Sequence, residues 1–419
     1  VSDDPALSAD AMRRLGDLEL EEGEAQQLAE NIGMVEFEAY DNAVGLFHAL
    51  LETYPDYERN DSVLYQLARA YEIAGKTDDS LRVLNDLAAR YPETPLMDEV
   101  QFRRGEMLFL RKEYNFAEVA YSYVVDYGES SRFYEQSLYK LGWSQFKLAW
   151  HEDSLDPFFT LLDRKIAGVE LKDGENRFDN LSRADRELVE DTFRVLSISF
   201  SYMAGAESIT EFMNTRGFPS YGYVVYMNLG DLYLEKERYG DAADTYEAFV
   251  ARNPDHPKSP ILQVEIIEAY KQGGFPTLVL EGKKSFVERY GMDSSYWQGN
   301  LRAENAAVET YLKDNLNDLA QYYHAEAQAK KTPEDYQEAS RWYRKYLNEF
   351  PDDADSAKTN FLLAEILFES ADYGAATVEY ERAAYEYPAH EQSAEAAYAA
   401  VLSYREHEPA LIGDAKTAW

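Results

Sequence analysis

The hydrophobic pattern of residues 61–93 predicts two amphipathic helices separated by a short turn. Apolar residues recur there at intervals of three and four, which places them on one face of a helix: Leu64, Leu67, Ala68 and Tyr71, then Leu81, Leu84, Leu87 and Ala88. A turn containing Gly75 and Asp78 separates the two runs, and Pro92 ends the second because proline cannot continue a helix. Neither helix can bury its apolar stripe alone, so this segment requires neighbours.

The same plan repeats along the chain with a period of 37 residues. Small residues that open the second helical run are spaced by this interval, at Ala43, Ser80, Ala117 and Ser154, and again at Ala339 and Ala376. Prolines that close a unit keep the interval too: Pro55 and Pro92, then Pro351 and Pro388. A repeat of this length predicts helix pairs that stack on one another and bury a continuous core.

These positions resemble the tetratricopeptide repeat (TPR) family. The clearest unit has the residues of the family pattern in order: Leu229, Gly230, Tyr233, Tyr239, Ala242, Tyr246 and Pro254. It departs from the pattern at Phe249, where a small residue is usual. The resemblance implies an all-α fold, a TPR-like right-handed superhelical solenoid of antiparallel helix pairs. The 37-residue period and the Tyr-Pro helix endings also resemble periplasmic or outer-membrane-associated TPR proteins of Gram-negative bacteria, of the barrel-assembly lipoprotein or Tol-Pal coordinator type.

The phase of the repeats predicts one solenoid over residues 1–419. Well-formed repeats cover 35–165, 222–255 and 320–389, and degenerate repeats with insertions cover 166–221 and 256–319. The first degenerate repeat is expected to form helices at about 183–203 and 205–216. The last residues, 390–419, are expected to form an incomplete repeat in a chain that is a fragment or ends irregularly.

The composition excludes some classes of function and of partner but does not identify the function. The chain has 41 Lys and Arg against 78 Asp and Glu, giving a net charge of −37, which disfavours nucleic acid as a partner. It has no cysteine, which excludes disulfides and thiol nucleophiles, and no apolar run near the length of a transmembrane helix. The acidity agrees with a basic partner or with adaptation to a saline environment.

No constellation of catalytic residues, phosphate-binding loop or zinc motif is present, so the sequence predicts a non-enzymatic protein with no cofactor and no metal. Two acidic clusters suggest calcium at first sight, one at Asp352, Asp353 and Asp355 and the other at Asp173, Glu175 and Asp179. Neither has oxygen ligands at alternate positions with a glycine turn and a terminal glutamate, so both are interpreted as solvated loops.

In the TPR family the first helix of each unit lines the concave groove. Aromatic residues at groove positions are therefore candidate partner contacts: Tyr65, Phe102, Phe109, Tyr139, Trp143, Phe146, Phe361 and Phe368. The alternative is that these rings support packing between helices. Carboxylates are mixed in at Glu99, Glu106, Asp231 and Glu365, which disfavours a clamp for a partner's C-terminal carboxylate and favours a neutral or basic partner.

The sequence thus predicts a protein–protein interaction scaffold of the bacterial cell envelope that binds a partner protein or peptide in the groove. The alternative is a component that self-associates into a larger assembly or filament. The expected location is periplasmic or outer-membrane-associated, with the cytoplasm of a salt-adapted organism as the alternative.

Overall fold

The computed structural model describes residues 4–29, 38–172 and 177–410, and all regular structure within these ranges is helical. The contacts cluster in two compact units, residues 1–203 with 219–221, and residues 204–218 with 222–419. The prediction of an all-α fold of repeated antiparallel helix pairs is confirmed. The prediction that the whole chain forms a single array stays a prediction.

In the described part of unit 1, successive helices along the chain pack against each other. They are α1 (Pro5–Ala29), α2 (Glu38–Thr53), α3 (Asn60–Ile73), α4 (Thr77–Arg90), α5 (Met97–Leu110), α6 (Tyr114–Tyr127), α7 (Tyr134–Lys147), α8 (Leu155–Ile166) and α9 (Arg183–Tyr202). The apolar stripes identified in the sequence form one core that runs from Leu20 to Leu141.

Unit 2 follows the same plan and includes one four-residue helix within the predicted degenerate segment 256–319. Its helices are α10 (Ala206–Arg216), α11 (Gly222–Glu235), α12 (Tyr239–Arg252), α13 (Ser259–Gln272), α14 (Pro276–Tyr290), α15 (Tyr296–Gly299), α16 (Ala306–Lys330), α17 (Pro333–Glu349), α18 (Ser356–Glu369), α19 (Tyr373–Glu381) and α20 (Ser393–His407). One hydrophobic cluster of this unit runs from Ile267 to Ala400.

The first degenerate repeat has the two helices that the sequence predicts, but each belongs to a different unit. Helix α9 packs against α8 in unit 1, where Phe193 meets Tyr221 edge-on. Helix α10 contacts α11 and α12 in unit 2, and Thr210 shares a hydrogen bond with Tyr226. The side chains that each helix buries therefore decide which unit it joins.

An aromatic ring of the second helix lies against a glycine of the first helix in three of the well-formed repeats. The pairs Gly105 with Tyr121, Gly142 with Phe158 and Gly230 with Tyr246 are each sixteen residues apart, and a Cβ on these glycines would lie 2.6, 2.8 and 2.2 Å from the ring. Glycine is required here because the ring occupies the space that any side chain would take.

The tyrosines of these pairs also bind a carboxylate on the first helix, at the residue that follows the small one. Tyr121 donates to Glu106 at 2.5 Å and Tyr246 donates to Asp231 at 2.8 Å, while Tyr380 donates to Glu365 beside Ala364. Burial, together with the neighbouring carboxylate, raises the pKa of each of these tyrosines well above its usual range. Helix pairing therefore combines ring packing with a hydrogen bond to an acid.

In the degenerate repeat of α13 and α14, the large residue of this contact lies on the first helix and the glycine on the second. Ile267 occupies the position that corresponds to Gly230, one period later, and Gly282 faces it from α14, with 3.0 Å between Ile267 Cγ1 and an ideal Cβ on the glycine. Because the small residue has moved to the other helix, the pair still packs closely. This exchange is consistent with the loss of the family pattern in the sequence here.

The acidic loop at Asp352–Asp355 already has a cation from within the chain. The ammonium group of Lys313 lies 2.7 Å from Asp353 and 2.9 Å from Asp355, and Tyr346 donates to Asp353 at 3.0 Å. Burial opposes ionisation of Asp353, but these hydrogen bonds outweigh it and lower the pKa of the carboxyl. Within the described residues, no group of three or more His, Asp or Glu side chains is arranged to hold a metal ion. Asp173 and Glu175 of the other acidic cluster lie outside the described residues.

Replacing Gly230 with alanine tests the contact between ring and glycine. We expect Gly230→Ala to destabilise the protein by about 1–3 kcal/mol, because the new methyl group displaces the Tyr246 ring. Gly240→Ala is the matched control in the same helix pair: its Cβ meets nothing within 4 Å, so the better helix propensity of alanine is expected to stabilise α12 by about 0.5–1 kcal/mol. Urea unfolding followed by circular dichroism measures both. Equal effects of the two changes would contradict this account of the helix pairing.

Candidate protein-interaction surface

The first helices of unit 1 carry side chains that contact one another from helix to helix. We call the side of α3, α5, α7 and α9 that bears them the first-helix face. Its residues are Tyr65, Glu72, Glu99, Phe102, Arg103, Glu106, Phe109, Tyr139, Lys140, Trp143, Phe146, Asp191 and Arg194. They form an alternation of rings and paired charges across four helices.

Helices α3 and α5 are joined by a hydrogen-bonded ion-pair cluster around Arg103. Its guanidinium binds Glu72 at 2.7 Å and Glu99 at 3.1 Å and lies 5.7 Å from the centre of the Tyr65 ring. Glu99 also accepts from Tyr65 and from Arg132. Burial opposes ionisation of Glu99, but the bonds from Tyr65 and Arg103 outweigh it and lower the pKa. Burial and the bond to Glu99 raise the pKa of Tyr65 to about 12.

Helices α5 and α7 meet through Lys140. Its ammonium group lies 3.2 Å from Glu106 and 4.8 Å from the centre of the Phe109 ring, so one cation holds an acid and a ring of the neighbouring helix. Glu106 thus binds both Tyr121 of its own repeat and Lys140 of the next repeat.

Helices α7 and α9 meet at Asp191. This carboxylate accepts from Tyr139 at 2.6 Å and from the Trp143 indole nitrogen at 3.3 Å, and it pairs with Arg194. The guanidinium of Arg194 lies 5.7 Å from the centre of the Trp143 ring. Burial and the bond to Asp191 raise the pKa of Tyr139 to about 12. Asp191 therefore fixes the orientation of two predicted contact residues.

The structure divides the eight predicted contact residues into two groups. Tyr65 and Phe361 are only 8% and 6% exposed, which favours the packing interpretation for these two. The half-buried rings that keep an accessible surface are Phe102, Phe109, Tyr139, Trp143, Phe146 and Phe368. Their contact with a partner stays a prediction.

The accessible rings of unit 1 contact one another in part. Trp143 meets Phe146 edge-on at 5.5 Å and Tyr139 at 6.4 Å, while Phe102 stacks on Phe133 at 4.5 Å. A cavity of about 360 Å³ opens beside Phe102 and Phe133, and it is also lined by Glu72, Arg103, Glu106 and Leu110. Phe109 and Phe368 each pack edge-on against the aromatic residue five positions later, Tyr114 and Tyr373.

Sequence reasoning missed Arg103, Lys140 and Asp191 as parts of this surface. Arg103 and Lys140 face the neighbouring helix from positions that the aromatic pattern does not select. Asp191 lies in the degenerate repeat, where the 37-residue phase is lost, so no spacing relates it to Trp143. Only their contacts reveal them.

These observations define a helical-repeat protein with a preformed surface of rings and paired charges. Residues 62–94 and 226–261 each match a family profile described as "Tetratricopeptide repeat". Those two helix pairs are therefore tetratricopeptide repeats, a module that typically serves as a non-catalytic scaffold and commonly mediates protein–protein interactions.

Solved structures with similarity to the chain include several repeat proteins. One is a tetratricopeptide repeat protein from Parabacteroides merdae, at 14% identity, covering 71% of this chain and 99% of the other with a TM-score of 0.30. A second is yeast Tom70, at 13% identity, with 96% and 97% covered and a TM-score of 0.24. A third is the TPR2AB domain of yeast Sti1, from a complex with pHSP90, at 11% identity, with 83% and 97% covered and a TM-score of 0.24. No curated protein matches the chain at a significant level.

The tyrosines of the first-helix face predict how stability depends on pH. Tyr65 and Tyr139 titrate near 12 in the folded protein and near 10 when unfolded, so between these values the folded state holds more protons. Their contribution to the free energy of unfolding is therefore complete below about pH 10 and is lost progressively toward about pH 12. Urea unfolding at several pH values in this range measures the decline. The double variant Tyr65→Phe/Tyr139→Phe is expected to show a shallower decline, and an unchanged slope would contradict the assignment.

Proposed function

We propose that the chain is a non-enzymatic scaffold that binds a segment of a partner protein along the first-helix face of unit 1. The observation that carries this proposal is the run of accessible rings held in fixed orientations by paired charges on neighbouring helices. Trp143 is the clearest case, since Asp191 holds its indole nitrogen while the side chain is only half-buried.

A surface of this kind favours binding because its side chains are ordered before the partner arrives. Ordering a flexible side chain on association costs about 0.5–1.5 kcal/mol, and rings already fixed by neighbours avoid most of that cost. Aromatic side chains also contribute more binding energy than most other residues of an interface. The cavity beside Phe102 offers a place for one apolar side chain of the partner.

The charges of the surface support a partner that is neutral or basic. Arg103, Lys140 and Arg194 are each paired with carboxylates of the chain, so they are not free to hold an acidic segment. The net charge of −37 accelerates encounters with cationic proteins and repels a second copy of the chain. Self-association into a larger assembly is therefore the less favoured alternative, and sedimentation over a range of concentrations distinguishes the two.

The location that we propose is the bacterial periplasm or an association with the outer membrane. The support is the resemblance in repeat period and in Tyr-Pro helix endings, and the acidic composition agrees equally with the cytoplasm of a salt-adapted organism. In the described residues, no helix has the length and apolar character needed to cross a membrane. The coding sequence upstream of Val1 tests the location: a signal peptide with a lipid-modified cysteine supports it, and a plain cytoplasmic start contradicts it.

Removing two accessible rings tests the binding surface. We expect Phe109→Ala/Phe146→Ala to reduce partner capture by about tenfold or more, because large aromatic contacts dominate interface energies. The measurement is affinity capture from an envelope extract of the source organism with immobilised protein, followed by quantitative mass spectrometry. Thermal unfolding by circular dichroism verifies that the variant is folded at the temperature of capture.

Tyr385→Ala is the matched control for this experiment. Its ring is 71% exposed in unit 2 and lies outside the first-helix face, so its removal is expected to leave capture unchanged. If the double variant captures the same proteins in the same amounts as the unaltered chain, Phe109 and Phe146 serve packing alone and the proposed surface is wrong.

A further inference from the structure

Helix α6 exposes a row of apolar side chains that packing among the described residues leaves largely uncovered. Phe116, Val119, Tyr123 and Tyr127 are 63%, 64%, 40% and 51% exposed, and their spacing of three and four residues places them on one side of the helix. The residues that α6 buries are Ala117, Ala120, Tyr121 and Val124, on a side rotated by roughly 100° at 3.6 residues per turn. We call the four exposed residues the α6 stripe.

The neighbouring repeats show that this fold does not require apolar residues at these positions. One period earlier, in α4, the corresponding residues are Asp79, Arg82, Asp86 and Arg90, which pair with one another along the helix. One period later, just before α8 and within it, the corresponding residues are Asp153, Asp156, Thr160 and Arg164. A charged surface is thus sufficient for the fold at this place, and α6 departs from it at all four positions. Apolar patches on a folded surface that packing does not explain mark interaction sites.

The charge around the α6 stripe favours a cationic partner. From Arg111 to Ser130 the chain has four carboxylates, Glu113, Glu118, Asp126 and Glu129, against two cations, Arg111 and Lys112. Arg111 is already paired with Asp78 and lies 3.9 Å from Glu113, and Glu129 is paired with Arg164 at 2.7 Å. Asp126 is exposed, and within the described part of the chain no lysine or arginine pairs with it.

The size of the stripe matches one helix better than a second folded copy. Four large side chains at these exposures present roughly 500 Å² along a helix about 21 Å long. A standard interface between folded proteins buries about 800 Å² on each partner. The net charge of −37 also opposes the approach of another copy.

We propose that the α6 stripe docks an amphipathic helix of a partner protein whose apolar face is flanked by lysine and arginine. The apolar faces of the two helices bury each other, and the flanking cations meet Asp126. This second docking surface is independent of the first-helix face, because it is formed by a second helix of a repeat and shares no residue with that face.

The test converts the stripe to the sequence that the chain itself uses one period earlier. The variant Phe116→Asp/Val119→Arg/Tyr123→Asp/Tyr127→Arg reproduces the ion-paired surface of α4 and adds two negative and two positive charges, so the net charge is unchanged. Non-specific attraction to a cationic probe is therefore the same in both proteins. The probe is a fluorescein-labelled synthetic helix of 18 residues with leucine on one face and lysine on the other, and its fluorescence anisotropy is measured at 0.15 M NaCl.

We expect the leucine–lysine helix to bind the variant about tenfold or more weakly than the unaltered chain. A second probe, with glutamate in place of lysine, is expected to bind the unaltered chain more weakly than the first. The first-helix-face variant Phe109→Ala/Phe146→Ala is expected to bind the leucine–lysine helix as the unaltered chain does. This result separates the present proposal from the proposed function. Should the fourfold variant not fold by circular dichroism, Phe116→Gln/Tyr123→Gln replaces it, with several-fold weaker binding expected.

Three results would overturn the proposal. Equal affinity of the leucine–lysine helix for the unaltered chain and the folded stripe variant would show that the stripe does not bind it. Binding of the glutamate probe as tight as that of the lysine probe would contradict the cationic partner. A dimer of the unaltered chain in equilibrium sedimentation, lost in the stripe variant, would identify a second copy as the occupant.

Discussion

The close approach of a ring to a glycine is the contact on which the helix pairs depend. In three repeats the ring of the second helix fills the space left by a glycine of the first, sixteen residues earlier. This approach sets the separation of the two helices and places the tyrosine hydroxyl beside the next carboxylate. The α13–α14 pair, with Ile267 facing Gly282, shows that the constraint is the combined volume of the two residues.

The acidic residues of the chain have several different roles. Some accept hydrogen bonds from buried tyrosines, as Asp231 does, and others join one first helix to the next, as Glu99 and Asp191 do. Asp353 and Asp355 hold a lysine of their own unit. Carboxylates thus supply acceptors for an aromatic-rich fold, and the surplus that is not paired gives the protein its negative field.

The two proposed surfaces relate to the repeat in opposite ways. On the first-helix face, side chains of successive repeats contact one another, so rings such as Trp143 are oriented by neighbours. On α6, the repeat shows which positions tolerate charge, and the four apolar residues there are recognised as an exception. We propose binding at both surfaces, at one because it obeys the repeat and at the other because it breaks it.

The sequence by itself determined the helical class, the 37-residue period and most helix positions, because amphipathic spacing and turn residues are local properties. It also selected the aromatic positions of the first helices. Only the tertiary structure separated the buried Tyr65 and Phe361 from the accessible Trp143, since exposure depends on helices distant in the chain. It alone brought Asp191 to Tyr139 and assigned α9 and α10 to different units. The contact of Asp191 and the division between α9 and α10 arise where the repeat phase is lost, and there side-chain volume and hydrogen bonding, rather than spacing, decide which residues meet.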